Sequence, residues 1–333
     1  MTFPLIPHPT WDQRDSTKLT DYKSCARKYF YEYILGWKVD RPAQDLHFGA
    51  AWHIAREHQL LHGYGEINTA FNLFLAHYRD EYPEDTDSIY LPKTPPAVLA
   101  GLLAYYQQQS HDLLDYQVAE VDGKKMTEIS GTVPVDEKRV LHYKIDAVMV
   151  NLHDMTLEAW DHKTTTEKWF QDTRWDNEFY LSIQNGTYTH CLYCLFPIAQ
   201  VKGVKFCKTG FGYLSRGSAN RSQGHHVGIR YVEAFKNIEQ MNIWLWNTLD
   251  IMDDIDRDMD RLHHCKEEDP VMMAFQQNPN SCTSYRGCPY HDFCMTWSNP
   301  LQRCHTPEIG FKVEFWDPSA MDTRNKMDLK RII

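Results

Sequence analysis

The sequence predicts an α/β fold, a mixed sheet flanked by helices with a helical elaboration at its front. Three observations predict it. Aromatic and apolar residues recur at helical spacing through the first third of the chain. Near residue 115 the period changes to two, and four consecutive strand-like runs follow. A long amphipathic stretch then separates these runs from two further short ones.

In order, Ser16 or Thr17 is placed to cap a first helix, followed by the aromatic-rich "DYKSCARKYFYEYILGW". Gly49 to about Gly63, Ile67 to Tyr82 and Ala97 to Leu114 read as helices, interrupted by glycine and by "LPKTPP". "DYQVAEV", "KMTEISGTVPV", "RVLHYKIDAVMVN" and "MTLEAWDHK" read as four strands separated by "DGK", "DEK" and "LHD" turns. One helix is expected over about 177–195, short strands near 199–207 and 225–232, and a helix over about 232–265. A cysteine-rich loop and a polar tail close the chain. No internal repeat or low-complexity tract interrupts it.

The 333 residues suffice for one large or two ordinary domains, and the aromatic content suits a packed core rather than disorder. No charged-then-apolar leader stands near Met1 and no apolar run is long enough to span a bilayer, which places the chain in the cytoplasm. Its net charge of −10 argues against a general nucleic-acid coat, although "DEYPEDTD" and "DIMDDIDRDMDR" carry much of the acid. A local basic groove remains compatible with that sum. Nine cysteines in a reducing compartment favour metal ligands or free thiols over disulfides.

The chemistry gathers on two neighbouring strands. In "LEAWDHK", Leu157, Ala159, Asp161 and Lys163 share one face, so an acid and a lysine follow core residues. Asp146 opens an apolar run in "HYKIDAVMVN", where an ionised carboxylate needs a cation or several donors. Two acids on adjacent strands repel unless one is protonated or a divalent ion lies between them. Hard oxygen ligands select Mg2+ or Mn2+. A lysine two residues beyond a ligand can hold or deprotonate a water there, a constellation suited to phosphodiester hydrolysis. Taken alone, "D…DxK" also fits a structural ion pair, the commoner outcome for so short a motif. His53 and Glu57 share a helical face and read either as a surface pair or as a third metal ligand with support. Gln184 and Tyr188 fit a half-buried helix or a pair of donors for phosphate, and Glu120 either supports the site or is simply exposed.

Read together, "CARKYFYEYILGW", "FGAAWH…E", "KIDAV", "WDHKT" and "QNGTY" resemble the PD-(D/E)XK nuclease superfamily, in particular its RecB-like branch. The resemblance runs from about Ser16 to Cys294. It implies a PD-(D/E)XK core, with Asp146 as the "GxxD" acid, here without the usual glycine, and Asp161 and Lys163 as the "(D/E)xK" pair. It further implies that His53 and the backbone carbonyl of His162 face the metal, and that Gln184 and Tyr188, the "QxxxY" pair, hold DNA. Lys168, Arg174, Arg27 and Lys28 are candidates to line the strand's path, and Trp169 and Trp175 to stack on bases.

"SCTSYRGCPYHDFC" places Cys282, Cys288 and Cys294 in one loop, most of a thiolate cage. Cys25 is the candidate fourth ligand, because "SCARKYFYEY" resembles the first cluster segment of iron–sulfur members of that branch, the AddB-type and CRISPR adaptation nucleases. A [4Fe–4S] cluster is implied, with zinc as the rival. The family spacing C-x2-C-x5-C is met by Cys288 and Cys294, while the gap from Cys282 is longer. Such a cluster would clamp the first helix to the last loop. Cys191, Cys194, Cys207, Cys265 and Cys304 read as structural thiols.

The expected organisation is a helical region over 1–115, a nuclease core over 116–265, a cluster loop over 266–304 and a tail over 305–333. The expected activity is metal-dependent exonucleolytic hydrolysis of DNA in recombination, repair or CRISPR adaptation. The alternatives are an endonuclease of the same superfamily and a non-catalytic nucleic-acid-binding subunit that keeps the fold.

Overall fold

The cap of the first helix, α1 (Ser16–Ser24), is Asp15, one residue ahead of the expected Ser16. Asp15 accepts from the Lys18 amide at 2.7 Å and satisfies a donor that a helix start leaves unpaired. The computed structural model describes residues 4–217, 222–283, 287–320 and 324–330. Residues 284–286 of the cysteine loop and 321–323 and 331–333 of the tail lie outside that description.

After α1, Cys25 is extended and the chain resumes a helical course from Ala26 to Ile34 before β1 (Trp37–Val39). Helix α2 (Gln44–His62) starts earlier than Gly49, which lies inside it. A glycine costs a helix only about 1 kcal/mol, less than burial of the neighbouring Phe48 and Trp52 returns. Helices α3 (Ile67–Tyr78) and α4 (Pro95–Gln109) follow, and α4 opens on prolines because its first turn has amides to spare.

The strands are β2 (Tyr116–Val118), β3 (Thr127–Pro134), β4 (Val140–Asn151) and β5 (Leu157–Thr166). The single helix expected over 177–195 is two, α5 (Thr173–Leu181) and α6 (Ile183–Leu195). Ser182 divides them with extended backbone (ψ 147°) and caps α6 by accepting from the Asn185 amide at 3.1 Å. Strands β6 (Val201–Leu214) and β7 (Gly224–Ala234) run longer than expected, and α7 (Ile238–His264) starts later. Short strands β8 (Phe311–Val313) and β9 (Asn325–Lys326) lie in the stretch read as a polar tail.

The chain forms two compact units. One comprises Ala43–Ser130, Lys144–Asn237 and Asp322–Ile333. The seven-stranded sheet runs in the order β9-β3-β4-β5-β6-β7, with β2 also paired to β4. It is mixed: β5 is antiparallel to β4 but parallel to β6, and α5 and α6 make the crossover that a parallel pair requires. Phe48, Trp52, Phe74, Tyr78, Trp160 and Phe211 are buried together where α2, α3 and α4 cover the sheet. At Gly101 a Cβ would stand 3.0 Å from Trp52 and 3.2 Å from Phe211, so α4 approaches this closely only through glycine.

The other unit comprises Met1–Pro42, Gly131–Tyr143 and Ile238–Met321. Here β1 and β8 pair antiparallel, and Tyr31, Trp37, Tyr290, Phe293 and Trp297 stack around them. The aromatics of "CARKYFYEYILGW" therefore serve packing. No helix among the described residues is long and apolar enough to cross a membrane.

Candidate metal centre

Strand register brings the two acids together. One step beyond the Ala147–Trp160 pair, Asp146 of β4 stands opposite Asp161 of β5. Asp146 Oδ2 accepts from the His162 amide at 2.7 Å, so a carboxylate takes up a donor at the end of the ladder. Both acids are buried, as the apolar runs around them require. Helix α2 delivers His53, whose Nδ1 lies 3.2 Å from Asp146 Oδ1 while Nε2 is 2.9 Å from the His162 carbonyl oxygen. Lys163 Nζ lies 2.8 Å from Asp161 Oδ2, yet that buried oxygen accepts no hydrogen bond of good geometry.

A third acid stands beside them. Glu128 of β3 is 3% exposed, and its Oε1 is 4.0 Å from His53 Nδ1. Among the described residues His53, Glu128 and Asp146 offer ligand atoms all within 4.8 Å of one another. Lys144, two residues before Asp146 on the same face of β4, places Nζ 2.8 Å from Glu128 Oε2. Glu128 and Lys144 were not singled out from sequence. Glu128 has left-handed backbone (φ 45°), and Thr127, Glu128, Ile129 and Ser130 are buried in succession. That irregularity hides the alternation by which Asp146 was found, though an acid amid apolar strand residues was the signal available.

The charges are strongly interdependent. Burial disfavours the His53 cation, but the Asp146 carboxylate, with Glu128 and Asp161, outweighs it and raises its pKa to about 9. Burial works against the Asp146 carboxylate too, yet His53 and the His162 amide hold it below the ordinary range. Asp161 is raised by burial and by the Asp146 charge, which Lys163 only partly offsets. Burial, then the Asp146 charge, raises Glu128 as well. The His162 ring is kept neutral by burial and by Arg56.

The remaining candidates have other engagements. Gln184 Nε2 donates to Asp161 Oδ1 at 3.1 Å and to the Tyr188 hydroxyl at 2.8 Å. Tyr188 is buried and donates to the Lys144 carbonyl, so this pair ties α6 to the two acid-bearing strands. Glu57 accepts from Thr127 Oγ1 at 2.8 Å and pairs with Arg324 at 3.3 Å, which steadies the residue next to Glu128. Glu120 lies in the exposed 120–125 hairpin, paired with Lys125 at 3.0 Å, apart from the centre. Arg27 is buried and donates to the Phe275 carbonyl, so it does not line a path for DNA. Lys28 pairs with Asp21 and lines the cysteine cavity instead. Lys168 and Trp169 are exposed, Arg174 pairs with Asp172, and Trp175 packs under Lys208 and against Phe179.

In the other unit, Cys25, Cys282, Cys288 and Cys294 line one cavity of about 720 Å³. Cys25 occupies the extended break after α1, where its Sγ accepts from the Asn278 amide at 3.4 Å. Burial raises the Cys288 thiol, and neighbouring Cys25 and Cys282 add to it. Burial also pushes Cys294 up to about 11, with Cys25, Cys288 and Cys282 contributing against Arg27. Cys191, Cys207, Cys265 and Cys304 are buried free thiols, and Cys194 is half-buried.

The family model described as the PD-(D/E)XK nuclease superfamily matches residues 16–295. No curated protein matches the chain.

Proposed function

The chain belongs to the PD-(D/E)XK nuclease superfamily, and from that premise we propose that it is a metal-dependent DNA exonuclease stabilised by a [4Fe–4S] cluster. Its work would lie in recombination, repair or CRISPR adaptation. The observation that carries the reading is the pairing of His53 with Asp146 at 3.2 Å and of Lys163 with Asp161 at 2.8 Å on the neighbouring strands β4 and β5. His53, Asp146, Asp161 and the His162 carbonyl would hold Mg2+ or Mn2+. Neighbouring ligands of an octahedral ion with bonds of about 2.1 Å lie roughly 3 Å apart. The 2.9 Å between His53 Nε2 and the His162 oxygen suits that geometry. Asp161 Oδ2 is buried beside Lys163 Nζ and, as a carboxylate oxygen, keeps a further lone pair to give.

When bound, the ion stabilises charge on the scissile phosphate and acidifies the attacking water. Lys163 Nζ, half-buried beside Asp161, orients that water and donates toward the phosphate. Gln184 holds Asp161 Oδ1, leaving Oδ2 to face the reacting atoms. With Tyr188 buried, the "QxxxY" pair acts on DNA chiefly through Gln184 and by fixing β4 and β5. Exposed Lys168 and Trp169 supply a charge and a stacking surface for the strand.

Cys25, Cys282, Cys288 and Cys294 would hold the cluster. The cavity they line, about 720 Å³, has room for a group larger than a single ion, which favours an iron–sulfur cluster over zinc.

End-labelled linear DNA and closed circular DNA, each with and without Mn2+, test the activity in wild type and Asp161→Ala. Wild type should degrade the linear form only with Mn2+ and spare the circle. Asp161→Ala should fall by about 10³-fold or more, the scale expected when charge stabilisation of the transition state is removed. Cleavage of the closed circle would make the enzyme an endonuclease. Metal-independent cleavage, or full activity of Asp161→Ala, would overturn the mechanism.

A further inference from the structure

Charge is spread unevenly along this chain. From Phe179 to Val232 the sequence contains no Asp or Glu, although the whole chain has 45 of them, while the same stretch supplies Lys202, Lys205, Lys208, Arg216, Arg221 and Arg230. The fold builds α6, β6 and β7 from it. Lys202 and Lys205 pair with Glu158, and Lys208 and Arg230 with Asp176. Arg221 lies outside the described residues. Arg216 is exposed and, among the described residues, makes no ion pair.

The β6–β7 hairpin also overhangs the strand that carries Asp161 and Lys163. Thr166, the last residue of β5, pairs with Phe211, and beyond it Gly212, Tyr213 and Leu214 continue against His226, His225 and Gly224 of β7. Lys163 pairs with Lys208, so Tyr213 stands roughly 17 Å farther along β6 than the Lys163 row. Tyr213 is 39% exposed, and its ring lies 5.0 Å from that of His225. Burial and His226 hold the His225 pKa below its ordinary value, so an uncharged imidazole meets the phenol. On the other face Glu167 lies over Gly212, and Phe170 fills the notch that Gly210 and Gly228 leave, where a Cβ on either would stand 2.5 Å from it. The short helix Glu167–Phe170 is thereby seated on the hairpin and holds exposed Lys168 and Trp169 beside it.

We propose that the overhanging end of the β6–β7 hairpin binds single-stranded DNA, with a base stacked on the Tyr213–His225 pair and a phosphate held by Arg216. This deepens the nuclease reading and rests on it. Stacking selects a single strand because a duplex keeps its base faces against one another, whereas an unpaired base offers its face to a ring. Charge points to the same ligand: a chain of net charge −10 repels DNA, and the hairpin end is built from the stretch that carries no acid of its own. Reach fits as well, since 17 Å is about five nucleotides at the roughly 3.4 Å that separates charges along one strand. One strand can therefore engage the hairpin end and the acid centre together. Each contact then raises the effective concentration of DNA at the other.

Fluorescence anisotropy of the full chain in Ca2+, with a labelled oligothymidylate and with a duplex of the same length, tests this without relying on cleavage. Tyr213→Ala should weaken single-strand binding by about tenfold, the scale of one lost base stack, and leave duplex binding unchanged. Tyr213→Phe keeps the ring and should bind as wild type does. Arg216→Gln should lower the slope of log affinity against log salt by about 0.7, one single-strand phosphate. Equal losses on single strand and duplex, or a Tyr213→Phe variant as weak as Tyr213→Ala, would overturn the stacking assignment. Wild type that cleaves DNA with Mn2+, beside Tyr213→Ala and Arg216→Gln variants that bind like it, would overturn the inference alone. Wild type without metal-dependent cleavage would overturn the nuclease reading and this inference with it. Should Tyr213→Ala fold poorly, an unchanged salt slope for Arg216→Gln still refutes the proposal.

Discussion

The acid centre and the cysteine cavity each gather side chains from distant points of the chain, but they hold them differently. In the centre Asp146 is satisfied by His53 and the His162 amide, Asp161 by Gln184 and Lys163, and Glu128 by Lys144. Protein cations and donors take up most of the charge, so the arrangement keeps its shape from its own contacts. Among the described residues the cysteine cavity has less: one amide on Cys25 Sγ, the Tyr290 backbone at Cys288, and a weak contact from Cys282 Sγ to the Asn278 carbonyl at 3.9 Å. Burial and the neighbouring cysteines push the Cys288 and Cys294 thiols upward, which favours their protonated form. A site that is built in advance suits an ion that works on substrate. A site that is not suits a group that completes the fold.

The largest effect on stability should come from the cysteines. Cys288→Ala or Cys25→Ala should strip bound iron, abolish visible absorbance and lower Tm by about 10 °C or more, given the several kcal/mol a structural metal group contributes. Zinc without iron in anaerobically prepared wild type would reassign the cavity, and an unchanged Tm would erase the contrast between the two regions.

A smaller effect should follow pH in the metal-free protein. The pKa of His53 is raised in the fold to about 9 from an ordinary value of 6.5. Its contribution to stability is thus fully present below about pH 6.5 and is lost as pH rises through about 9. Because a bound ion displaces that proton, Mn2+ affinity should rise across the same window and level off above it. Calorimetry in two buffers of different ionisation enthalpy would detect the released proton. Affinity independent of pH across this range would remove His53 from the ligand set.

The smallest effect belongs to Glu120. Its pair with Lys125 is half exposed, and Glu120→Gln should shift stability by no more than about 0.5 kcal/mol and leave cleavage intact. Loss of cleavage would show that the 120–125 hairpin bears on the centre after all.

What the sequence made legible follows from which forces act locally. Asp146 and Asp161 were visible because regular strands alternate, and an acid in a buried position stands out against its neighbours. His53 is visible through helical spacing, although Gly49 masks the start of α2, which the burial of Phe48 carries back to Gln44. Glu128 was hidden by a left-handed residue inside a strand, which no alternation rule anticipates. The division at Ser182 was masked by residues that suit a helix on both sides of it. Strands β8 and β9 are too short to show a period, and their partners lie in the β1 and β3 segments far earlier in the chain. The grouping of Cys25 with the late cysteines came from family resemblance, since no spacing rule joins residues so far apart.

Lys163 gives the most direct test of the central claim that an ion and an adjoining ammonium divide the work. Mn2+ affinity by calorimetry and cleavage of end-labelled linear DNA should be measured on the same preparations of wild type and Lys163→Ala. The account predicts Mn2+ bound with wild-type affinity and cleavage reduced by about 10²-fold or more, the scale of a lost proton-handling group. Cleavage at the wild-type rate by Lys163→Ala with Mn2+ bound would contradict it.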